Sequence, residues 1–153
     1  MINNYQKLLK ELGICIPVEE ISASTWDFIS RQKYLSEDFI REYQDKIKWQ
    51  WIGYFVELSE DFIREFQDKL NWHDITLTKK LSDDFLFEFQ NKIVWNLRFN
   101  SHDVSFPIMK KFILKTEHTH INKFRTNYLT KSQKKEIERI LSLKSIFKFQ
   151  KTV

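Results

Sequence analysis

The sequence predicts an all-α protein, a short solenoid of helix pairs closed by a capping C-terminal helix. Three observations predict it. Trp26, Trp49, Trp72 and Trp95 stand 23 residues apart. Between them one text recurs, as LSEDFIREYQDKIKW from Leu35, LSEDFIREFQDKLNW from Leu58 and LSDDFLFEFQNKIVW from Leu81, with 12 and then 9 of 15 positions shared by successive copies. In each copy the apolar residues fall at i, i+1, i+4 and i+8, one face of a helix. A unit this short cannot bury its own apolar face, so such units stack on their neighbours.

The N-terminus, MINNYQKLLKELG, lacks the apolar stretch of a signal peptide and reads as a short helix with Gly13 just past its end. Pro17, Val18 and Ile21 look like a worn half-unit leading into Trp26. Cys15, between Ile14 and Ile16, reads as a buried thiol and has no second cysteine to pair with.

The main helix of the first unit is expected to run from an N-cap at Ser36 through Lys48, with Phe39, Ile40, Tyr43 and Ile47 facing inward. Glu37 and Asp38 suit the first turn of such a helix, and Lys46 and Lys48 the last. Arg41 with Asp45, and Glu42 with Lys46, are spaced as i,i+4 ion pairs. Phe62, Ile63, Phe66 and Leu70 repeat the pattern under Ser59, and Phe85, Leu86, Phe89 and Ile93 repeat it under Ser82.

The other half of each unit is shorter. Trp26/Ile29, Trp49/Ile52 and Trp72/Ile75 suit one turn of a second helix, whereas Ile75, Leu77 and Leu81 with Thr76 and Thr78 between them also read as a strand. The alternative fold is therefore a strand-plus-helix horseshoe of the leucine-rich kind. Helix pairs are favoured, because Gly53 is the only glycine between Trp26 and Trp95 and no asparagine recurs at a fixed turn position. Trp49 and Trp72 are expected in the core between units.

After Trp95 the repeat decays. Val104-Ser105-Phe106-Pro107-Ile108 falls on LSEDF, and Phe112 falls on Phe89. Pro107 would lie in a first helical turn, where proline is tolerated. From Ser132, a candidate N-cap, SQKKEIERILSLKSIFKF is amphipathic, with Ile137, Ile140, Leu141 and Ile146 along one side. The expected organisation is a single domain over 1–153: an N-terminal cap and half-unit at 1–25, three tandem repeats at 26–95, a decayed fourth unit at 96–118 and a basic cap at 119–153.

Charge divides the chain. Residues 24–95 carry 10 Lys and Arg against 14 Asp and Glu; residues 96–153 carry 13 against 4. In the basic part Lys110, Lys111, Lys115, Lys123, Arg125, Lys131, Lys134 and Lys135 are interleaved with Phe112, Phe124 and Tyr128. Cations for phosphates and aromatics for bases would suit single-stranded nucleic acid. The plainer reading, a solvated lysine-rich surface with its aromatics in the core, is weighed above it.

Catalytic signatures do not emerge. The paired acids Glu37/Asp38, Glu60/Asp61 and Asp83/Asp84 recur at equivalent first turns, which the helix dipole explains. His118 and His120, and His102 with Asp103, lack the companion spacing of a metal site and read as exposed histidines. The two glycines permit no phosphate-binding loop. No enzyme, cofactor or metal is expected, and no segment is long enough to span a membrane.

The third unit breaks its own rule. Phe87 stands where Arg41 and Arg64 stood, and Val94 where Lys48 and Asn71 stood. Seven residues apart on one helix, Phe87 and Val94 would form an apolar pair on a polar face. The pair is expected to lie under the C-terminal helix, or else to receive a partner.

The pattern W-x-x-I-S-x-x-x-x-L-S-E-D-F-I-R-E-F-Q-D-K-I-x-W, carried here from Trp26 to Trp95, resembles short tandem repeats in uncharacterised proteins of large DNA viruses. The resemblance implies a viral source and an interaction role, and it brings no catalytic residues. Lysine outnumbers arginine 19 to 6, a bias of AT-rich genomes that fits such a source. The function expected is non-enzymatic protein–protein interaction with a host or viral partner in the cytoplasm. The alternative is nucleic-acid binding through the basic third.

Overall fold

The computed structural model describes residues 4–116 and 123–150, with side chains at 8–116 and 123–144. The chain forms two compact units, Met1–Asn71 and Trp72–Val153. The first holds α1 (Asn4–Glu11), a 3-10 turn (Val18–Glu20), α2 (Ala23–Ser30), α3 (Glu37–Glu42), α4 (Trp49–Phe55) and α5 (Glu60–Glu65). The second holds α6 (Trp72–Thr78), α7 (Asp83–Glu88), α8 (Trp95–Ser101), α9 (Phe106–Phe112), a 3-10 turn (Ile113–Lys115) and α10 (Lys131–Gln150). Each repeat is thus a pair of short helices. No strand occurs among the described residues, which overturns the horseshoe alternative.

Local chemistry accounts for the helix starts. Ser36, Ser59 and Ser82 each accept the amide three residues on, from Phe39, Phe62 and Phe85, at 3.1–3.2 Å. Ser105 does the same for Ile108 at 3.5 Å, with Pro107 in the first turn of α9, so the decayed fourth unit keeps the pair. Gly13 adopts φ 72° past α1, where the amide of Ile14 returns to Leu9 O at 2.7 Å.

The helix ends differ from expectation. α3, α5 and α7 each span six residues and stop before Tyr43, Phe66 and Phe89. Lys46 and Lys48 lie beyond α3 and not in its last turn. Past these ends, the bond that would resume the helix between Lys48 N and Gln44 O is divided between other partners. The amide of Lys48 goes to Ser30 Oγ at 2.8 Å, and the carbonyl of Gln44 accepts Trp49 Nε1 at 2.9 Å. In the second unit Val94 N donates to Thr76 Oγ1 at 3.2 Å, and Gln90 O accepts Trp95 Nε1 at 2.9 Å. The side-chain amides of Gln44, Gln67 and Gln90 close the helix ends by donating to the carbonyls of Arg41, Arg64 and Phe87 at 3.2–3.3 Å. The expected Arg41–Asp45 pair gives way as well. Arg41 meets Glu37 and Asp38 behind it at 3.7 and 3.2 Å, and Glu65 of the next repeat at 2.8 Å.

Two sets of residues recur in the cores of both units. Ile29, Ile52 and Ile75 are fully buried one turn after their tryptophans. In the fourth repeat Arg98 takes that place, 2% exposed, and donates to Lys79 O at 2.6 Å and Leu81 O at 3.2 Å. The tryptophans make the second set, each ring against the aromatics 13 and 17 residues on: Trp26 with Phe39 and Tyr43, Trp49 with Phe62 and Phe66, Trp72 with Phe85 and Phe89. Trp95 stacks on Phe112 at 4.3 Å. Trp26 and Trp95 are buried, but Trp49 and Trp72 are half-exposed and covered by cations, Lys69 at 5.2 Å and Lys92 at 5.4 Å. They are therefore not the fully enclosed core residues the repeat suggested.

Two further expectations are corrected. Cys15 is exposed, because the left-handed turn at Gly13 sends residues 14–18 along the surface, where they line an open cleft of about 420 Å³ with Leu9 and Lys10. α10 begins before Ser132, and its cap is Thr130. Thr130 Oγ1 accepts Gln133 N at 3.2 Å while Gln133 Oε1 accepts Thr130 N at 2.9 Å, a reciprocal capping box.

Candidate interaction surfaces

The residues singled out from the sequence fall in three places. Phe87 and Val94 are 47% and 37% exposed, and α10 packs on α9 and its adjoining 3-10 turn. Internal cover by the C-terminal helix is overturned. Because α7 ends at Glu88 and Val94 is the residue before α8, the two do not share a helix face. Phe87 lies edge-on to Phe112, centroids 6.3 Å apart, with Lys111 Nζ 3.9 Å from its ring centre.

Four of the eight basic residues singled out in the last third are engaged within the protein. Lys110 pairs with Glu136 at 2.5 Å, Lys115 reaches Gln90 and Asn91 at 3.4 and 3.2 Å, and Arg125 pairs with Asp103 at 2.7 Å. Lys111 covers Phe87. Lys123 is exposed. Lys131 and Lys135 are exposed on the first turns of α10, with Lys134 half-exposed between them. Phe112 and Phe124 are 1% and 6% exposed, and the hydroxyl of half-buried Tyr128 accepts Val104 N at 3.0 Å. Of the aromatics that were to stack on bases, Phe112 and Phe124 are thus in the core and Tyr128 is half-buried with its hydroxyl engaged.

His118 and His120 lie outside the described residues. His102 is half-buried, not the exposed histidine that was expected, and its Nδ1 lies 2.8 Å from Ser101 Oγ. Burial first, then the charges of Arg98 and Arg125, push its pKa down to about 4. Among the described residues no group of three or more His, Cys, Asp or Glu side chains is placed to hold a metal, and no helix is long and apolar enough to cross a membrane. Glu37/Asp38 and Glu60/Asp61 are held by Arg41 and Arg64 one turn on, at 2.8–3.8 Å.

A surface the repeat pattern concealed lies on α2 and α4. Trp51 Nε1 donates to Asp27 Oδ1 at 2.7 Å, the Arg31 guanidinium lies 4.0 Å over the Trp51 ring, and Arg31 closes the set by pairing with Asp27 at 2.6 Å. Phe55 packs 6.1 Å from Trp51, and Tyr54 meets Phe55 edge-on at 5.0 Å. Tyr54, Phe55 and Phe28 of α2 are all exposed. The signal was in the sequence. Trp51 is the one tryptophan off the 23-residue spacing, and the next repeat has Asp74, Leu77 and Thr78 where Trp51, Tyr54 and Phe55 stand.

Compared with known proteins, the chain matches no family model, no curated protein and no solved structure.

Proposed function

We propose that this protein is a non-enzymatic interaction module that docks a protein partner on the aromatic face of α2 and α4. The observation that carries the reading is Trp51, held at its edge by Asp27 and across its ring by Arg31, with exposed Phe55 against it and exposed Tyr54 edge-on to Phe55. A large exposed apolar patch is uncommon unless it binds something. Tyrosine, tryptophan and arginine supply most interface binding energy, and rings fixed beforehand lose little entropy on binding. The resemblance to tandem repeats of large DNA viruses favours a host or viral protein as the partner. The test is capture of partners from infected or host cells with wild-type bait and with Tyr54→Ser/Phe55→Ser bait. The reading expects one protein, held at fixed stoichiometry, to be lost from the double variant while its thermal melt is unchanged. Equal capture by both baits rejects this face as the interface.

A second reading, binding of nucleic-acid backbone, has one observation in its favour. Residues 72–153 carry 16 Lys and Arg against 8 Asp and Glu, and Lys131 and Lys135 are exposed on α10. With Phe112 and Phe124 buried, such binding would rest on phosphates alone. It predicts affinity that falls steeply with salt and is indifferent to sequence. Absence of binding at physiological salt removes it.

A further inference from the structure

Residues 123–129 lie against the end of α8 and are held there at several points. Phe124 is buried and meets the Phe99 ring edge-on, centroids 5.6 Å apart. The amide of Arg125 donates to Phe99 O at 2.8 Å. Its guanidinium pairs with Asp103 at 2.7 Å and reaches Ser101 O at 3.4 Å. Val104 N donates to the Tyr128 hydroxyl at 3.0 Å. His102 sits among these contacts, half-buried and bound to Ser101 Oγ.

We propose that this clasp is acid-sensitive: protonation of His102 loosens residues 123–130 from the end of α8, and with them one anchor of the basic helix α10.

The charges around His102 set the direction. Arg98 faces it from α8, Arg125 from the clasping segment and Lys80 from the chain after α6, with Asp103 as the one opposing carboxylate. The Tyr128 phenol, kept neutral to higher pH than usual chiefly by burial, adds no charge. A proton on His102 therefore adds positive charge where three cations already face one anion. The same surroundings hold the closed imidazole's pKa near 4 against an ordinary 6.5. Opening removes Arg125 and part of the burial while Arg98 and Lys80 stay, so the pKa rises part of the way toward 6.5. Between the closed and opened values the opened segment binds a proton that the closed one does not, and opening becomes more favourable as pH falls toward 4. Above pH 6.5 both forms are neutral at His102 and the dependence vanishes. Partial exposure of the ring keeps the slope below tenfold per pH unit.

The test is amide hydrogen exchange by NMR, corrected for intrinsic rates, at pH 7.5 and pH 5. Arg125 and Leu129 report the clasp. Phe89 and Ile93, bonded to Phe85 and Phe89, report the rest of the same unit. Opening at Arg125 and Leu129 is expected to rise about tenfold at pH 5, with Phe89 and Ile93 unchanged, and His102→Asn is expected to abolish the rise. No rise, an equal rise in His102→Asn, or an equal loss at Phe89 and Ile93 would each overturn the proposal. Should His102→Asn fail to fold, the wild-type titration decides. A His102 midpoint well below 6.5, with protection at Arg125 and Leu129 falling at pH values above that midpoint, supports the clasp, whereas protection there unchanged between pH 7.5 and pH 5 overturns it.

Discussion

Lys111 Nζ lies 3.9 Å from the centre of the Phe87 ring, 24 residues along the chain. Arg41 and Glu65 are also 24 residues apart, and there the same slot holds an ion pair of 2.8 Å. One repeat thus links to the next through Arg and Glu in the first case and through Phe and Lys in the second. The replacement of arginine by phenylalanine at 87 is matched by lysine at 111, so a cation meets a π face where it elsewhere meets a carboxylate. An exposed cation–π contact contributes about 0.5–1 kcal/mol. Phe87→Arg alone should lower stability by about that amount, since it sets two cations together, and Lys111→Glu added to it should recover the loss by rebuilding the pair. Urea melts of the two single variants and the double give the coupling. Strictly additive effects would show that the two side chains act independently.

The buried hydroxyls of Ser30 and Thr76 should matter more than their size suggests. Each receives the backbone amide just before the next tryptophan, from Lys48 and Val94. Ser30→Ala or Thr76→Val leaves that amide without its partner, a cost of about 1–3 kcal/mol. The check is a denaturant melt at constant m-value. Losses under about 0.5 kcal/mol, the scale of ordinary surface substitutions, would mean that water reaches these amides.

The tryptophans should divide into two classes despite their equal spacing. Trp26 and Trp95 are 3% and 5% exposed, and their replacement by alanine should cost about 3–5 kcal/mol. Trp49 and Trp72 are half-exposed beneath Lys69 and Lys92 and should cost less. Equal losses at all four, measured by chemical denaturation, would contradict this division.

Thr130 should anchor the start of α10. Thr130→Ala removes one half of the capping box and should cost about 1 kcal/mol, whereas Ser132→Ala should be nearly neutral. Thermal melts of the two variants, read at the same protein concentration, distinguish them, and the reverse order would restore Ser132 as the cap.

Much of the architecture was legible because it is local. The spacing of Phe39, Ile40 and their counterparts defines a helical face. Ser36, Ser59 and Ser82 cap the helices that begin beside them, and Gly13 ends α1 by its own conformational freedom. The choice of a helix pair over a strand and helix also came from composition, since a unit nearly free of glycine cannot make the turns a horseshoe requires. These properties depend on neighbours within one or two turns, and the repeat states them several times over.

The rest depends on groups that are distant in sequence. Nothing near Lys48 shows that its amide will leave the helix for Ser30, 18 residues back. Helical periodicity alone therefore carries α3 through residues at which the structure has already turned. Cys15 sits between two isoleucines and is still exposed, because the turn at Gly13 directs the segment along the surface. The candidate site obeys the same division. That Trp51, Tyr54 and Phe55 depart from the repeat is written in the sequence. That Tyr54 and Phe55 stay exposed beside a Trp51 fixed by Asp27 and Arg31 was decided by the packing of α2 against α4, because only that contact brings Asp27 and Trp51, 24 positions apart, within hydrogen-bonding distance.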